Sequence, residues 1–98
     1  MSEELEVTDF ERNHGRHGLM IVAAVRYCLG RRSYIVSDCA DWIIANWESW
    51  PDHIQNIIQR DVEESFVRDD EARLGNGYKR LGDDCDRAEW ERVRTLWK

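Results

Sequence analysis

The stretch VRYCLGRRSYIVSDC, residues 25–39, connects two apolar segments and decides how the chain folds. Residues 17–29 are apolar at nearly every position, which predicts a helix that the rest of the fold encloses on all sides. Gly30 follows where a left-handed residue commonly ends a helix, and Arg31 and Arg32 then lie near the negative end of the helix dipole. A phosphate-binding role is the alternative for this Gly-Arg-Arg sequence. Phosphate-binding loops use helix N-termini, however, so the pattern favours a helix end.

A second helix signal follows the two arginines. Residues 34–36, Tyr-Ile-Val, are predicted to form a short extended connector that packs against the core. Ser37 is a suitable N-cap, so the second helix is expected over residues 38–48. The apolar stripe of this helix consists of Cys39, Ala40, Ile43, Ile44, Trp47 and Trp50.

Two further helices are predicted after Pro51. This proline suits the first position of a helix, and the helical pattern continues to about residue 73, before a Gly-Asn-Gly break at residues 75–77. The buried stripe of this third helix consists of Ile54, Ile57, Ile58, Val62 and Phe66. Asp86 and Glu89 have capping-box spacing and predict a last helix that reaches the C-terminus. The apolar face of that helix consists of Trp90, Val93, Leu96 and Trp97.

The composition indicates one all-α domain. The chain has 98 residues, of which 42% are hydrophobic and 35% are charged, a balance typical of a single globular domain. Neither strand alternation nor an internal repeat is visible. We therefore expect a compact single-domain bundle of about four helices over residues 1–98, with residues 1–16 as a polar entry segment.

The net charge, the acidic start of the chain and the length of the apolar runs predict the protein's cellular location and its class of partner. The net charge is −6 and no basic face is clustered, which argues against direct nucleic-acid binding and favours contact with basic surfaces of other proteins. The acidic start of the chain does not resemble a signal or transit peptide. The longest apolar run, residues 19–25, is too short to span a bilayer, so we expect a cytoplasmic protein without a membrane partner.

The cysteines and histidines do not form a recognisable ligand set. Cys28, Cys39 and Cys85 are an odd number of widely spaced residues, which predicts free thiols in a reducing compartment. His14 and His17 lack the CxxC or HExxH spacing that a zinc site requires. We therefore predict no metal site and no cofactor.

Arg26 and Asp61 are lone charges on surfaces that the pattern predicts to be apolar. Because an isolated buried charge is very costly, each is expected to need a partner, and a buried ion pair between the first and third helices would satisfy both. Removing Asp61 would then cost on the order of 3–5 kcal/mol. The alternative is a carboxylate that performs acid–base chemistry. No second acid or nucleophile accompanies it, so we do not expect an enzyme.

A partner-binding surface is predicted from one tryptophan and one acidic run. Trp42 lies off the apolar stripe of its helix, so it is either an exposed interface anchor or a residue covered by the loop at residues 31–36. Residues 61–71 contain six acids and one arginine. The run is either a protein-binding surface or only a solvated helix face. The predicted contact residues are Trp42, Glu63, Glu64, Asp69, Asp70 and Glu71.

Three segments resemble a group of small bacteriophage and prophage proteins: RYCLGRRSYIV (26–36), DWIIANW (41–47) and IIQRDVEE (57–64). These proteins share an R-Y-x-L-G-R-x-[ST]-Y-x-V core, a following helix and an I-x-R-D-[IVL] segment. The resemblance implies a phage origin and a place in the host cytoplasm. By analogy with small acidic phage proteins, it also implies an inhibitor of a host defence complex, such as an anti-CRISPR protein.

The partner of such an inhibitor would be a host protein or ribonucleoprotein complex, and the sequence leaves a homodimer open. The alternative is a phage regulatory module that binds nucleic acid or a nucleotide. Its binding residues would be Arg31, Arg32, Tyr34, Lys79 and Arg80.

Overall fold

The computed structural model describes residues 18–31, 34–75, 77 and 79–98, and these residues fold as a helical bundle. The four helices are α1 (Gly18–Cys28), α2 (Tyr34–Asn46), α3 (Asp52–Arg73) and α4 (Asp84–Arg94). A single 3-10 turn, Trp47–Ser49, follows α2, and the described residues contain no strand. The predicted all-α fold with four helices is confirmed.

Gly30 ends α1 as predicted. Its φ of +86° lies in the left-handed region, which side chains other than glycine rarely adopt. The Arg31 Nε donates a hydrogen bond of 3.2 Å to the carbonyl oxygen of Tyr27, one of the carbonyls that the helix end leaves without an intrahelical partner. The Gly-Arg sequence therefore completes the end of a helix, because its cation satisfies a C-terminal carbonyl.

α2 begins four residues before the predicted start, so the extended connector at residues 34–36 and the N-cap role of Ser37 are wrong. Val36 is fully buried and lies in phase with Cys39, Ala40 and Ile43 on one helical stripe. Residues such as Ile and Val favour extended structure only weakly, and burial of a continuous apolar stripe outweighs that preference.

α1 is buried on one side only. Its inward stripe packs against α2 and α3, whereas Met20 and Tyr27 are 48% and 47% exposed. The prediction that the fold encloses α1 on all sides is therefore wrong, because a helix in a small bundle packs against its neighbours along part of its circumference only.

The last helix begins before the predicted capping box. Asp83 is the N-cap of α4, and its Oδ1 accepts a hydrogen bond of 2.9 Å from the backbone N–H of Asp86. The interpretation of Asp86 and Glu89 as a capping box is therefore wrong: Asp86 is the third residue of the helix and Asp83 caps it. Trp90 and Val93 are buried as predicted.

A disulfide joins α1 to α2. Cys28 and Cys39 are both buried, their Cα atoms are 6.2 Å apart, and their sulfur atoms are bonded. The predicted free thiols are therefore wrong for this pair, because α1 and α2 pack against each other and their buried stripes bring the two cysteines face to face. Cys85 is a free and exposed thiol, as predicted.

Candidate functional site

Trp42 belongs to the core, so the proposal that it is an exposed interface anchor is wrong. Its side chain is 1% exposed, and its ring centroid is 5.1 Å from that of Trp50. α2 packs against α4 as well as α1, which buries a wider arc of α2 than one apolar stripe predicts. A buried side chain offers no contact to a partner.

Asp69 is also buried, and its predicted place on a partner-binding surface is wrong. The carboxylate is fully buried and accepts hydrogen bonds from Arg73 Nε (2.6 Å), Arg87 Nη1 (2.6 Å) and the backbone N–H of Leu81 (2.9 Å). Burial by itself raises the pKa of Asp69, but the hydrogen bonds from Arg73, Leu81 and Arg87 outweigh it and hold the pKa below its ordinary value. Asp69 thus connects α3, the following loop and α4.

Glu63 is hydrogen-bonded to residues near the C-terminal end of the chain. Its two carboxylate oxygens accept hydrogen bonds from Arg94 Nε (2.7 Å) and Nη2 (2.8 Å), a bidentate pair, and Trp97 Nε1 donates a third bond of 3.0 Å. The hydrogen bonds from Arg94 lower the pKa of Glu63. Its side chain is 31% exposed, and its charge is compensated within the molecule.

The remaining acids of the run divide by their position around α3. Asp70 lies seven residues after Glu63 and pairs with Arg87 of α4 at 2.7 Å, on the same side of the helix. Glu64 and Glu71 lie about 100° further round and are exposed. Neither carboxylate lies within ion-pair distance of a basic side chain among the described residues.

Two exposed apolar side chains lie on the same side of α3 as Glu64 and Glu71. Val67 is 59% exposed and Leu74, immediately after the helix, is 84% exposed. Glu64, Val67, Glu71 and Leu74 are here called the outer face of α3. Glu64, Val67 and Glu71 line a shallow groove of about 370 Å³ together with Arg68.

The predicted pair of Arg26 and Asp61 is present, but it is not buried. The Nε of Arg26 lies 2.6 Å from Oδ2 of Asp61, with side-chain exposures of 57% and 14%. The hydrogen bond to Asp61, followed by the charge of that carboxylate, raises the pKa of Arg26. The expectation of burial is wrong for Arg26 because this side of α1 faces solvent.

A cleft lies beside this ion pair, between α1 and α3, and is here called the α1–α3 cleft. Its volume is about 410 Å³. It is lined by Arg26, Leu29, Gly30, Asp61, Glu64, Ser65, Arg68 and Arg80. Glu64 and Arg68 also line the groove of the outer face, so the two surfaces are continuous.

The structure does not gather the residues predicted to bind nucleic acid. Arg31 stacks on the ring of Tyr27, with its guanidinium carbon 4.2 Å from the ring centroid. Lys79 and Arg80 are exposed after α3, and Arg80 lines the α1–α3 cleft. Arg32 lies outside the described residues, and so does the side chain of Tyr34, the first residue of α2.

Comparison with family models, curated protein sequences and solved structures found no match. Within residues 18–31, 34–75, 77 and 79–98, no helix is both long enough and apolar enough to cross a membrane. The same part of the chain contains no group of three His, Cys, Asp or Glu side chains that could hold a metal ion. His14 and His17 lie outside it.

Proposed function

We propose that this chain is a binding protein that acts by contact and not by catalysis, with the outer face of α3 as its contact surface. The observation that carries this proposal is the combination of exposed apolar and unpaired acidic side chains on that face. Val67 and Leu74 are the most exposed large apolar residues of the described structure. Glu64 and Glu71 flank them without ion-pair partners among the described residues.

The spacing of the apolar side chains supports recognition by a groove. Val67 and Leu74 are seven residues apart, which is two helical turns, so both can enter one apolar groove on a partner. Exposed apolar side chains of this size supply affinity when they become buried at an interface.

The acids support a basic partner. Glu64 and Glu71 are also seven residues apart and lie beside the apolar positions. Because acidic side chains at the edge of an interface speed association with a positively charged surface, the partner is expected to combine an apolar groove with a basic border. The nucleic-acid channel of a host defence complex has this kind of charge. The resemblance to bacteriophage proteins supports such a complex as the target and an inhibitory, anti-CRISPR-like role.

The test compares variants of the outer face with a control of equal charge change. Tagged wild-type protein and the variant Val67→Ser/Leu74→Ser are used to capture proteins from a bacterial host lysate. Wild type is expected to retain a nucleic-acid-binding complex and to reduce its binding to nucleic acid, whereas the variant should do neither. Glu64→Lys/Glu71→Lys should slow association, and Glu48→Lys/Asp52→Lys, at exposed positions outside this face, should not.

Equal capture by the wild type and the Val67→Ser/Leu74→Ser variant would overturn the proposal. A titration of labelled DNA and RNA at several salt concentrations tests the regulatory alternative. Affinity that falls steeply with salt would favour a nucleic-acid-binding module, whereas we expect no such binding.

A further inference from the structure

We propose that the α1–α3 cleft binds a small phosphate-bearing ligand through the guanidinium groups of Arg68 and Arg80. The cleft shares Glu64 and Arg68 with the groove of the outer face, but anion binding in the cleft does not require that face to bind a protein. Its volume of about 410 Å³ falls within the range of small-molecule sites, roughly 300–1,000 Å³.

The two arginines differ from most others in the structure. Arg68 lies on α3 and Arg80 lies in the loop before α4, and both line the cleft. Neither side chain makes a hydrogen bond or an ion pair with a described residue. The arginines that do pair with carboxylates are Arg26, Arg73, Arg87, Arg92 and Arg94. Two guanidinium groups without partners among the described residues therefore border one concave site.

The acids of the cleft do not cancel this positive charge. Asp61 is paired with Arg26 at 2.6 Å, so its charge is compensated by a guanidinium of the same cleft. Glu64 is the remaining acid, and against it stand Arg68 and Arg80. The lining thus carries one excess positive charge, and Glu64 is expected to weaken the binding of an anion.

The presence of two guanidinium groups favours phosphate over carboxylate. A carboxylate can also accept hydrogen bonds from two guanidinium groups, as Asp69 does, but it carries a single negative charge, whereas a phosphate monoester carries about −1.5 to −2 at neutral pH and is attracted more strongly by two cations. A phosphate group has three terminal oxygens and can therefore accept hydrogen bonds from two forked donors at once. The hydroxyl of Ser65, also in the lining, is already engaged as a donor to the carbonyl oxygen of Asp61 at 2.9 Å.

The experiment is a titration of the isotope-labelled protein with pyrophosphate, followed by NMR at constant ionic strength. We expect saturable shifts of the Arg68 and Arg80 side-chain signals and of the Gly30 amide. Loss of a charge-assisted hydrogen-bonding group should make Arg68→Gln and Arg80→Gln each bind about tenfold more weakly or worse. Arg60→Gln is the matched control, because Arg60 is exposed on the same helix and lines a different groove.

A gain of affinity gives a second, independent measurement. Glu64→Gln removes the opposing charge and should tighten pyrophosphate binding by about threefold or more. Such a gain cannot result from a folding defect. Adenosine 5′-monophosphate and adenosine are titrated in parallel: binding of the monophosphate, at any affinity above that of adenosine, supports the site. Shifts that do not saturate, an equal loss in Arg60→Gln, or weaker binding by Glu64→Gln would overturn the proposal.

Discussion

Replacing Asp69 with Asn is expected to lower the free energy of unfolding by about 3–4 kcal/mol. The fully buried carboxylate accepts hydrogen bonds from two guanidinium groups, those of Arg73 and Arg87, and a charge-assisted bond of this kind contributes about 1.5–3 kcal/mol. The lower part of the combined range applies because Arg73 and Arg87 keep other partners, Asp84 and Asp70. The loss is a large fraction of the roughly 5–15 kcal/mol that stabilises a typical domain.

The assay is urea unfolding, followed by far-UV circular dichroism and tryptophan fluorescence. With an m-value of about 1.3 kcal/mol/M, the midpoint should fall by about 2–3 M. Asp70→Asn is the matched control: its neighbouring carboxylate is 61% exposed and makes one ion pair, which should contribute about 0–1 kcal/mol. An equal and small loss in both variants would refute the assignment of Asp69 as the central buried acid.

The pH dependence of stability tests the same assignment. The pKa of Asp69 is lower in the folded protein than in the unfolded chain, so its ionised form stabilises the fold. This contribution is present above the unfolded pKa, about 4, and is lost as the pH falls through the lower folded value. The amide that Asp69→Asn introduces does not titrate, so the variant should lose less stability than wild type between neutral and acid pH. An identical loss of stability in wild type and variant between neutral and acid pH would contradict the prediction.

Three further changes test the remaining contacts of the first two helices. Cys28→Ala/Cys39→Ala should destabilise the protein by about 3 kcal/mol in urea unfolding without reductant, which is the chain-entropy value for a loop of this length. Unfolded wild type that titrates with three free thiols would contradict this prediction. Asp61→Ala should lower the free energy of unfolding by no more than about 1 kcal/mol, well below the value for a buried pair, because Arg26 is 57% exposed and can be hydrated. A decrease above about 3 kcal/mol would show that the pair is buried in solution. Gly30→Ala should cost about 1–2 kcal/mol because of its φ of +86°, and an unchanged thermal midpoint would argue against a left-handed helix end.

The sequence allows the helices to be predicted but not all of their ends. α3 is the clearest, because Pro51 precedes it and one apolar stripe runs through it, and its observed span of Asp52–Arg73 matches the expectation within one residue. The predicted start of α2 is too late because the local propensity of residues 34–36 favours extended backbone, whereas burial of Val36 decides the outcome.

Asp69 could have been identified as buried from the sequence. It lies three residues after Phe66 and seven after Val62, in phase with the apolar stripe of α3. The same argument places Asp61 in the stripe, and of the two acids Asp69 is the more deeply buried. The disulfide could not be predicted this way, because the spacing of Cys28 and Cys39 matches no motif and only the packing of α1 against α2 brings them together.

The acidic residues on one side of α3 form ion pairs with α4, whereas those on the adjacent side form none with described residues. Glu63 and Asp70 point toward α4 and are matched there by Arg94 and Arg87, which repeat at the same seven-residue spacing. Glu64 and Glu71 repeat at that spacing as well, one position further along, where neither carboxylate lies within ion-pair distance of a basic side chain of the described residues. Packing of α3 on α4 therefore explains the first pair and leaves the second unexplained. Unpaired acids that repeat beside the exposed Val67 are what a basic partner would require, and the variants of the outer face test this difference directly.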